Sequence, residues 1–321
     1  MGVRAVIKLF GKRGRMTYAT VTPAIEPQLT WHAAVDAIVK GHAFPKAKLA
    51  DSFLYQGANT LLSRAAWIEG MGALVKTATV FPNNTAQGRP AVNGSAALYS
   101  DHDGQCDAIV DFHLLTKWKT AADSLCAARY LARPDSRRIT LVGAGIVAQS
   151  MYHAYRALFP HAQFTIWARN ADQANECASE LDNTTAEADL ERAVNAADII
   201  CTATLSKTPL VRGAWLRAGQ HLDLIGAFRP DMREVDDDAL QRAHVFVDSR
   251  DTTVDHIGEL KDPIARGILS PEDIIADYYD IQTGLFKRPD DTSITICKNG
   301  GGAHLDLMIA RYFLDVARRC G

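Results

Sequence analysis

Residues 138–149 carry the clearest chemical pattern in the chain. A short β-branched run, residues 138–142, ends in Gly143-Ala144-Gly145-Ile146-Val147-Ala148 and passes directly into a helical pattern over residues 149–158. Gly143 suits a tight turn, Gly145 lets backbone approach a pyrophosphate, and the small Ala148 keeps strand and helix close. The amides at the helix start, Ile146 and Val147 among them, face phosphate with the positive end of the helix dipole behind them. This is the opening of a dinucleotide-binding unit. In such a unit an Asp or Glu at the end of the second strand binds the ribose hydroxyls. Here residues 164–170 end in Ala168-Arg169-Asn170, with no carboxylate. The Arg169 guanidinium, with Asn170 beside it, fits a 2′-phosphate. The expected cofactor is therefore NADPH, with NADH possible.

Other reactive residue types show no comparable spacing. Cys106, Cys126, Cys177, Cys201, Cys297 and Cys320 form no Cys-x-x-Cys pair, which reads as buried small apolar residues in a reducing cytoplasm. No histidine pair has metal-ligand spacing, and no metal is expected. Asp101-His102-Asp103-Gly104 is acidic but lacks the other ligands of a calcium loop, so it reads as a hairpin turn.

The elements that must position these residues alternate along the chain. Residues 138–142, 164–170, 197–204, 221–228, 244–250 and 293–300 read as short apolar strands. Helical patterns separate several of them, at 149–158, 171–181 and 236–243. That alternation implies an α/β fold, a doubly wound parallel sheet of Rossmann type. Upstream, residues 31–44 read as an amphipathic helix with Thr30 as N-cap and Gly41 near its end. Strand-like runs at 52–57, 60–69 and 73–82 follow, then the hairpin of residues 97–113 and a long helix from Thr116 to Arg133. Residues 304–320 form a terminal helix. The 321 residues suit two domains. A net charge of −2 gives no reason to expect nucleic acid or an acidic membrane as partner. No apolar run is long enough to span a bilayer. Residues 1–15 hold five basic residues and no acidic one, and read as a poorly ordered extension, with Met16 an alternative start.

Residues 197–250 resemble the signature region of the ornithine cyclodeaminase/mu-crystallin family. The resemblance continues through residues 72–84, 88–101, 114–124 and 297–307, and covers residues 29–320. It implies an α+β substrate and dimerisation domain built from both chain ends, residues 1–117 with 303–321, and an NAD(P)-binding Rossmann domain at 118–302. It also implies a homodimer acting on a small imino or amino acid.

Carried over position by position, the resemblance makes Lys76 the residue that holds the substrate carboxylate and assists proton delivery, since burial and nearby cations lower a lysine's pKa. Lys119 stands where the family has a carboxylate-clamping Arg, so the charge is kept without the bidentate fork. Lys48 matches an upstream basic position, and Arg64 adds a cation suited to a second substrate carboxylate. Thr204, Ile225, Gly226, Lys298 and Gly300 match cofactor-contacting positions, and His304 follows in the same terminal loop. Phe228 stands where cyclodeaminases have a catalytic Asp, and a phenyl ring transfers no proton. The following Arg229-Pro230-Asp231 is similar to the ketimine reductases, with Asp231 as a candidate acid. The expected activity is reduction of Δ1-pyrroline-2-carboxylate or Δ1-piperideine-2-carboxylate to L-proline or L-pipecolate. Ornithine cyclodeamination, iminosuccinate reduction and non-catalytic NADPH binding are the alternatives.

Overall fold

The computed structural model describes residues 18–320. The basic stretch at residues 1–15 and Met16 lie outside the described residues. The chain divides into two units, residues 18–119 with 302–320, and Thr120–Gly301. The expected boundaries at 117/118 and 302/303 lie within two residues of this division.

The first unit contains β1 (Ala19–Val21), α1 (Trp31–Gly41), β2 (Lys48–Gln56), β3 (Asn59–Ile68), β4 (Gly72–Val80), β5 (Val92–Tyr99), β6 (Cys106–Asp111) and the start of α2 (Phe112–Leu131), together with the C-terminal helix Ala303–Cys320. Its six strands form one sheet in the order β1-β6-β5-β4-β3-β2, antiparallel except for the β1–β6 pair. Strand periodicity explains its faces. In β4, Gly72, Leu74, Lys76 and Ala78 are buried while the alternate residues are partly exposed. The C-terminal helix, buried along most of its length, packs against α1, β3 and β4. Gly41 permits that approach, because a Cβ there would lie 2.4 Å from the Met308 side chain.

The Thr30 hydroxyl accepts from the Ala33 amide at the start of α1, as the cap pattern requires. Helix α2 begins at Phe112, earlier than the expected Thr116. Asp111 accepts from the Leu114 amide at 2.8 Å and so serves the helix start.

The second unit contains β7 (Arg138–Val142), α3 (Ile146–Leu158), β8 (Gln163–Trp167), α4 (Ala171–Ser179), β9 (Thr184–Ala186), α5 (Leu190–Ala196), β10 (Ile199–Thr202), β11 (His221–Leu224), α6 (Asp237–Arg242), β12 (His244–Val247), α7 (Arg250–Thr253), α8 (Gly258–Ala265) and β13 (Thr295–Lys298). All seven strands are parallel, in the order β12-β13-β11-β10-β7-β8-β9. Val142, Ile200, Leu222, Leu224, Val245, Val247 and Ile296 are buried in its core, as near-continuous apolar strands require. β8 and β9 lie outward of β7 on one side, and β11, β13 and β12 lie outward of β10 on the other. The strand order therefore reverses there, and an open α/β sheet binds ligands at the carboxyl ends of such a pair.

Candidate active site

Two sets of residues, one in each unit, carry the candidate chemistry. In the second unit, Gly143 follows β7 with φ +131°, and a Cβ there would lie 2.7 Å from the Ala203 carbonyl oxygen after β10. A side chain would thus collide with the neighbouring loop at the point where the strand order reverses. Gly145 differs, because its Cβ direction meets open space. It is the N-cap of α3 and offers no side chain to the amides of the first turn. Ile146 is 80% exposed and Val147 is exposed beside it. Open amides, open space and the helix dipole together fit a pyrophosphate.

At the end of β8, Arg169 is exposed and takes no hydrogen bond or ion-pair partner among the described residues. Asn170, also exposed, instead has its side chain accepting from the Asp172 amide as the cap of α4. The residues present therefore fit a dinucleotide, and Arg169 is an open cation at the end of the neighbouring strand.

The loops after β10 and β11 are tied together by a carboxylate that sequence reading did not single out. Glu234 is fully buried and accepts from the Thr204 amide (2.9 Å), the Thr204 hydroxyl (2.8 Å), the Gly226 amide (2.8 Å) and the Ala227 amide (3.1 Å). A Cβ at Gly226 would press on Glu234 and Thr204, which explains the glycine. The Thr204 hydroxyl donates its proton to this contact and so ties its loop to Glu234. Ile225 donates its amide to Thr202 on β10 and continues the same seam. Beneath it, Glu259 accepts from the Glu234 and Val235 amides. Burial, then the nearby Glu234 charge, pushes its carboxyl up to about 7. Asp248 ties down the glycine-rich loop, accepting from the Gly301 amide at 2.6 Å and the Thr253 hydroxyl at 2.7 Å. Gly300 packs so closely on Thr253 that a Cβ would lie 2.4 Å from its hydroxyl oxygen.

Lys298 departs from the expectation of a cofactor contact. It is fully buried at the end of β13, and its ammonium donates to the carbonyls of Leu224 (2.5 Å) and Asn299 (2.8 Å). Every residue of β13 is buried, and the Lys298 side chain points into the protein. There its charge opposes the burial that pushes Asp223, bonded to the Tyr155 hydroxyl, up to about 7.

In the first unit, the parity of β4 places Lys76 on the same buried face as Leu74 and Ala78. Its Nζ lies 2.8 Å from Asp306 Oδ1 and 4.9 Å from the centroid of the Phe112 ring. Burial lowers the Lys76 pKa. Asp306 opposes that shift, while Lys119 and Arg64 reinforce it. Asp306 was missed from sequence. Its available signal was an acidic residue on the buried side of the terminal helix, where a carboxylate requires a cation. Lys119, on α2, takes no hydrogen bond or ion-pair partner among the described residues.

Several expected residues stand differently. Arg64 faces Asp51 across β3 and β2, its Nε 3.1 and 3.0 Å from the two carboxylate oxygens. A fork engaged by Asp51 is poorly placed to clamp a second substrate carboxylate. Lys48 begins the exposed edge strand β2, whereas Lys46 is the upstream cation whose charge reaches His304. Asp231 is exposed and pairs with Arg229 (3.0 Å) and Lys207 (3.0 Å). The Lys207 contact, with Arg229, holds its carboxyl below the usual range, so it is ionised and unsuited to donate a proton. Phe228 is 58% exposed after β11, with the Arg229 guanidinium 5.8 Å from its ring centroid.

Comparison with known proteins agrees with this chemistry. The profile of the ornithine cyclodeaminase/mu-crystallin family matches residues 65–320. The chain is 48% identical over 295 residues to a Δ1-pyrroline-2-carboxylate reductase of Paracoccus denitrificans, covering 90% of this chain and 93% of that protein. It is 30% identical over 241 residues to the ketimine reductase mu-crystallin of Rattus norvegicus, covering 75% and 74%. The solved structure of Thermococcus litoralis Δ1-pyrroline-2-carboxylate reductase, in complex with NADH and L-proline, shares the fold. Its TM-score is 0.85 at 24% identity, over 94% of this chain and 97% of that one. The chain belongs to the ornithine cyclodeaminase/mu-crystallin family.

Proposed function

We propose that the protein is an NAD(P)H-dependent reductase of small cyclic imino acids, converting Δ1-pyrroline-2-carboxylate or Δ1-piperideine-2-carboxylate to L-proline or L-pipecolate. The observation that carries this reading is the buried Lys76–Asp306 pair beside the open Lys119 ammonium. Such a cluster binds a carboxylate and holds a proton that is given up more readily than that of a solvated lysine. A bound nicotinamide supplies hydride to the imine carbon. Lys119 anchors the carboxylate by charge, Lys76 delivers the proton to the imine nitrogen, and Asp306 fixes the Lys76 ammonium in place. Gly143, Gly145 and the first amides of α3 hold the pyrophosphate. Arg169 favours NADPH through a 2′-phosphate, and NADH is accepted more weakly. Phe228 stands at the position where cyclodeamination needs a carboxylate, and Asp51 occupies the Arg64 fork that iminosuccinate would use.

The expected assembly is a homodimer. Edge strand β2 is exposed throughout, with Tyr55 at 72% and Phe53 and Leu54 beside it. An apolar edge of this kind invites a second copy of the chain, and sedimentation equilibrium measures it directly. All six cysteines are free thiols, which supports a reducing, cytoplasmic setting.

The test is loss of reduced-nicotinamide absorbance with purified protein and Δ1-pyrroline-2-carboxylate, with iminosuccinate and NADH in parallel arms. The expected result is turnover with the cyclic imine and a preference for NADPH. Turnover with iminosuccinate alone, ammonia release from ornithine, or NADPH binding without turnover of any imine would each overturn the reading.

A further inference from the structure

His304 lies in the first turn of the C-terminal helix, is fully buried, and has no hydrogen-bond partner among the described residues at either ring nitrogen. Folded proteins keep few buried polar atoms in that condition, and an orphaned one points to a missing partner. Its ring meets His42 edge-on, with centroids 5.5 Å apart. The charges that reach it belong to His42, Lys119, Arg64 and Lys46. Burial and this basic surround keep the imidazole neutral, which leaves one N–H donor and one bare nitrogen. Lys119, in the same cluster, provides a point charge where a guanidinium would provide two parallel donors.

We propose that His304 is a further substrate-binding residue that supplies the missing directional donor. Its N–H donates to one oxygen of the substrate carboxylate while the Lys119 ammonium pairs with the other. Together the two side chains do the work of one arginine fork. This assignment rests on the imino-acid reading above and names the group that orients the carboxylate within it.

His304→Phe keeps an aromatic ring and removes both orphaned nitrogens. The expected result is a roughly 10- to 100-fold rise in KM for Δ1-pyrroline-2-carboxylate, the range set by one hydrogen bond to a charged group. The KM for NADPH should stay unchanged, and thermal stability should be equal or higher. In a Lys119→Arg background, where the fork is restored, the same substitution should cost less than about threefold. The ring nitrogens of His304 in the native protein, followed by 15N NMR, should shift on titration with L-proline in the presence of NADP+. That measurement keeps the proposal testable even if His304→Phe does not fold. Native turnover with an unchanged KM in the variant, an equal penalty with and without the Lys119→Arg substitution, or unshifted ring nitrogens in an active enzyme would each overturn the His304 assignment alone. Absence of native turnover with the imine would overturn the imino-acid reading and the assignment with it.

Discussion

Glu234 in the second unit meets four donors, while His304 and Lys119 in the first unit meet no hydrogen-bond partner among the described residues. Both regions bury polar groups, at high desolvation cost. In the second unit the cost is offset on site. Glu234, Glu259 and Asp248 are saturated by amides and hydroxyls, and each ties a loop at the carboxyl edge of the sheet to the fold. In the first unit the Lys76–Asp306 pair is internally satisfied, whereas the side chains of His304 and Lys119 have no hydrogen-bond partner among the described residues. The difference separates two uses of buried charge. Saturated groups hold the loops at the carboxyl edge of the sheet, and the open ones are the contacts proposed above for an anionic substrate.

Removing the cation at the centre of the open cluster should have the largest effect. Lys76→Met should lower kcat by roughly a thousandfold, the middle of the range for loss of a general acid, as read by steady-state reduction of the cyclic imine. It should also leave Asp306 buried without a partner, so a fall in Tm should accompany it.

Glu234→Gln tests the saturated side. An amide nitrogen would face backbone donors that now meet a carboxylate oxygen. The KM for NADPH should rise roughly tenfold while the KM for the imine changes little. An equal rise in both constants would mean that Glu234 supports the whole unit rather than the cofactor loops.

Arg169→Ala should reduce the ratio of kcat/KM for NADPH over NADH by about tenfold, since one charge-assisted contact is lost.

Asp223 extends the comparison to pH. Its ordinary carboxyl value is 3.8, and the fold raises it to about 7. The folded state therefore holds the proton longer than the unfolded chain. Its stabilising contribution is complete below the unfolded value and is lost as pH rises through the folded one. Asp223→Asn, a fixed neutral isostere, should gain Tm relative to the native protein between about pH 4 and about pH 8. A constant difference across that window would contradict the raised value.

The smallest effect belongs to Asp231→Asn, which removes an exposed carboxylate shared by Arg229 and Lys207. Turnover should stay within about twofold and stability within about 0.5 kcal/mol, whereas a hundredfold loss would return Asp231 to the role of acid.

What could be read from sequence was what local physics controls. Gly143 announces a strand–turn because only glycine accepts the conformation and close approach found there, and Gly145 opens the helix start by leaving its Cβ space empty. Thr30 caps α1 through a residue three positions away. The apolar run around Lys76 reads as a strand, and its period of two explains why Lys76 shares a buried face with Leu74 and Ala78. Tertiary structure decided the partners. Asp306 reaches Lys76 across 230 residues of chain, Asp51 occupies Arg64 through strand register, and Lys298 turns inward because the carbonyls of Leu224 and Asn299 receive it. The physical reason is range. Backbone sterics and side-chain periodicity act over a few residues and are written in the order of the chain. Charge pairing and desolvation act through space, and take their values only when distant segments are packed together.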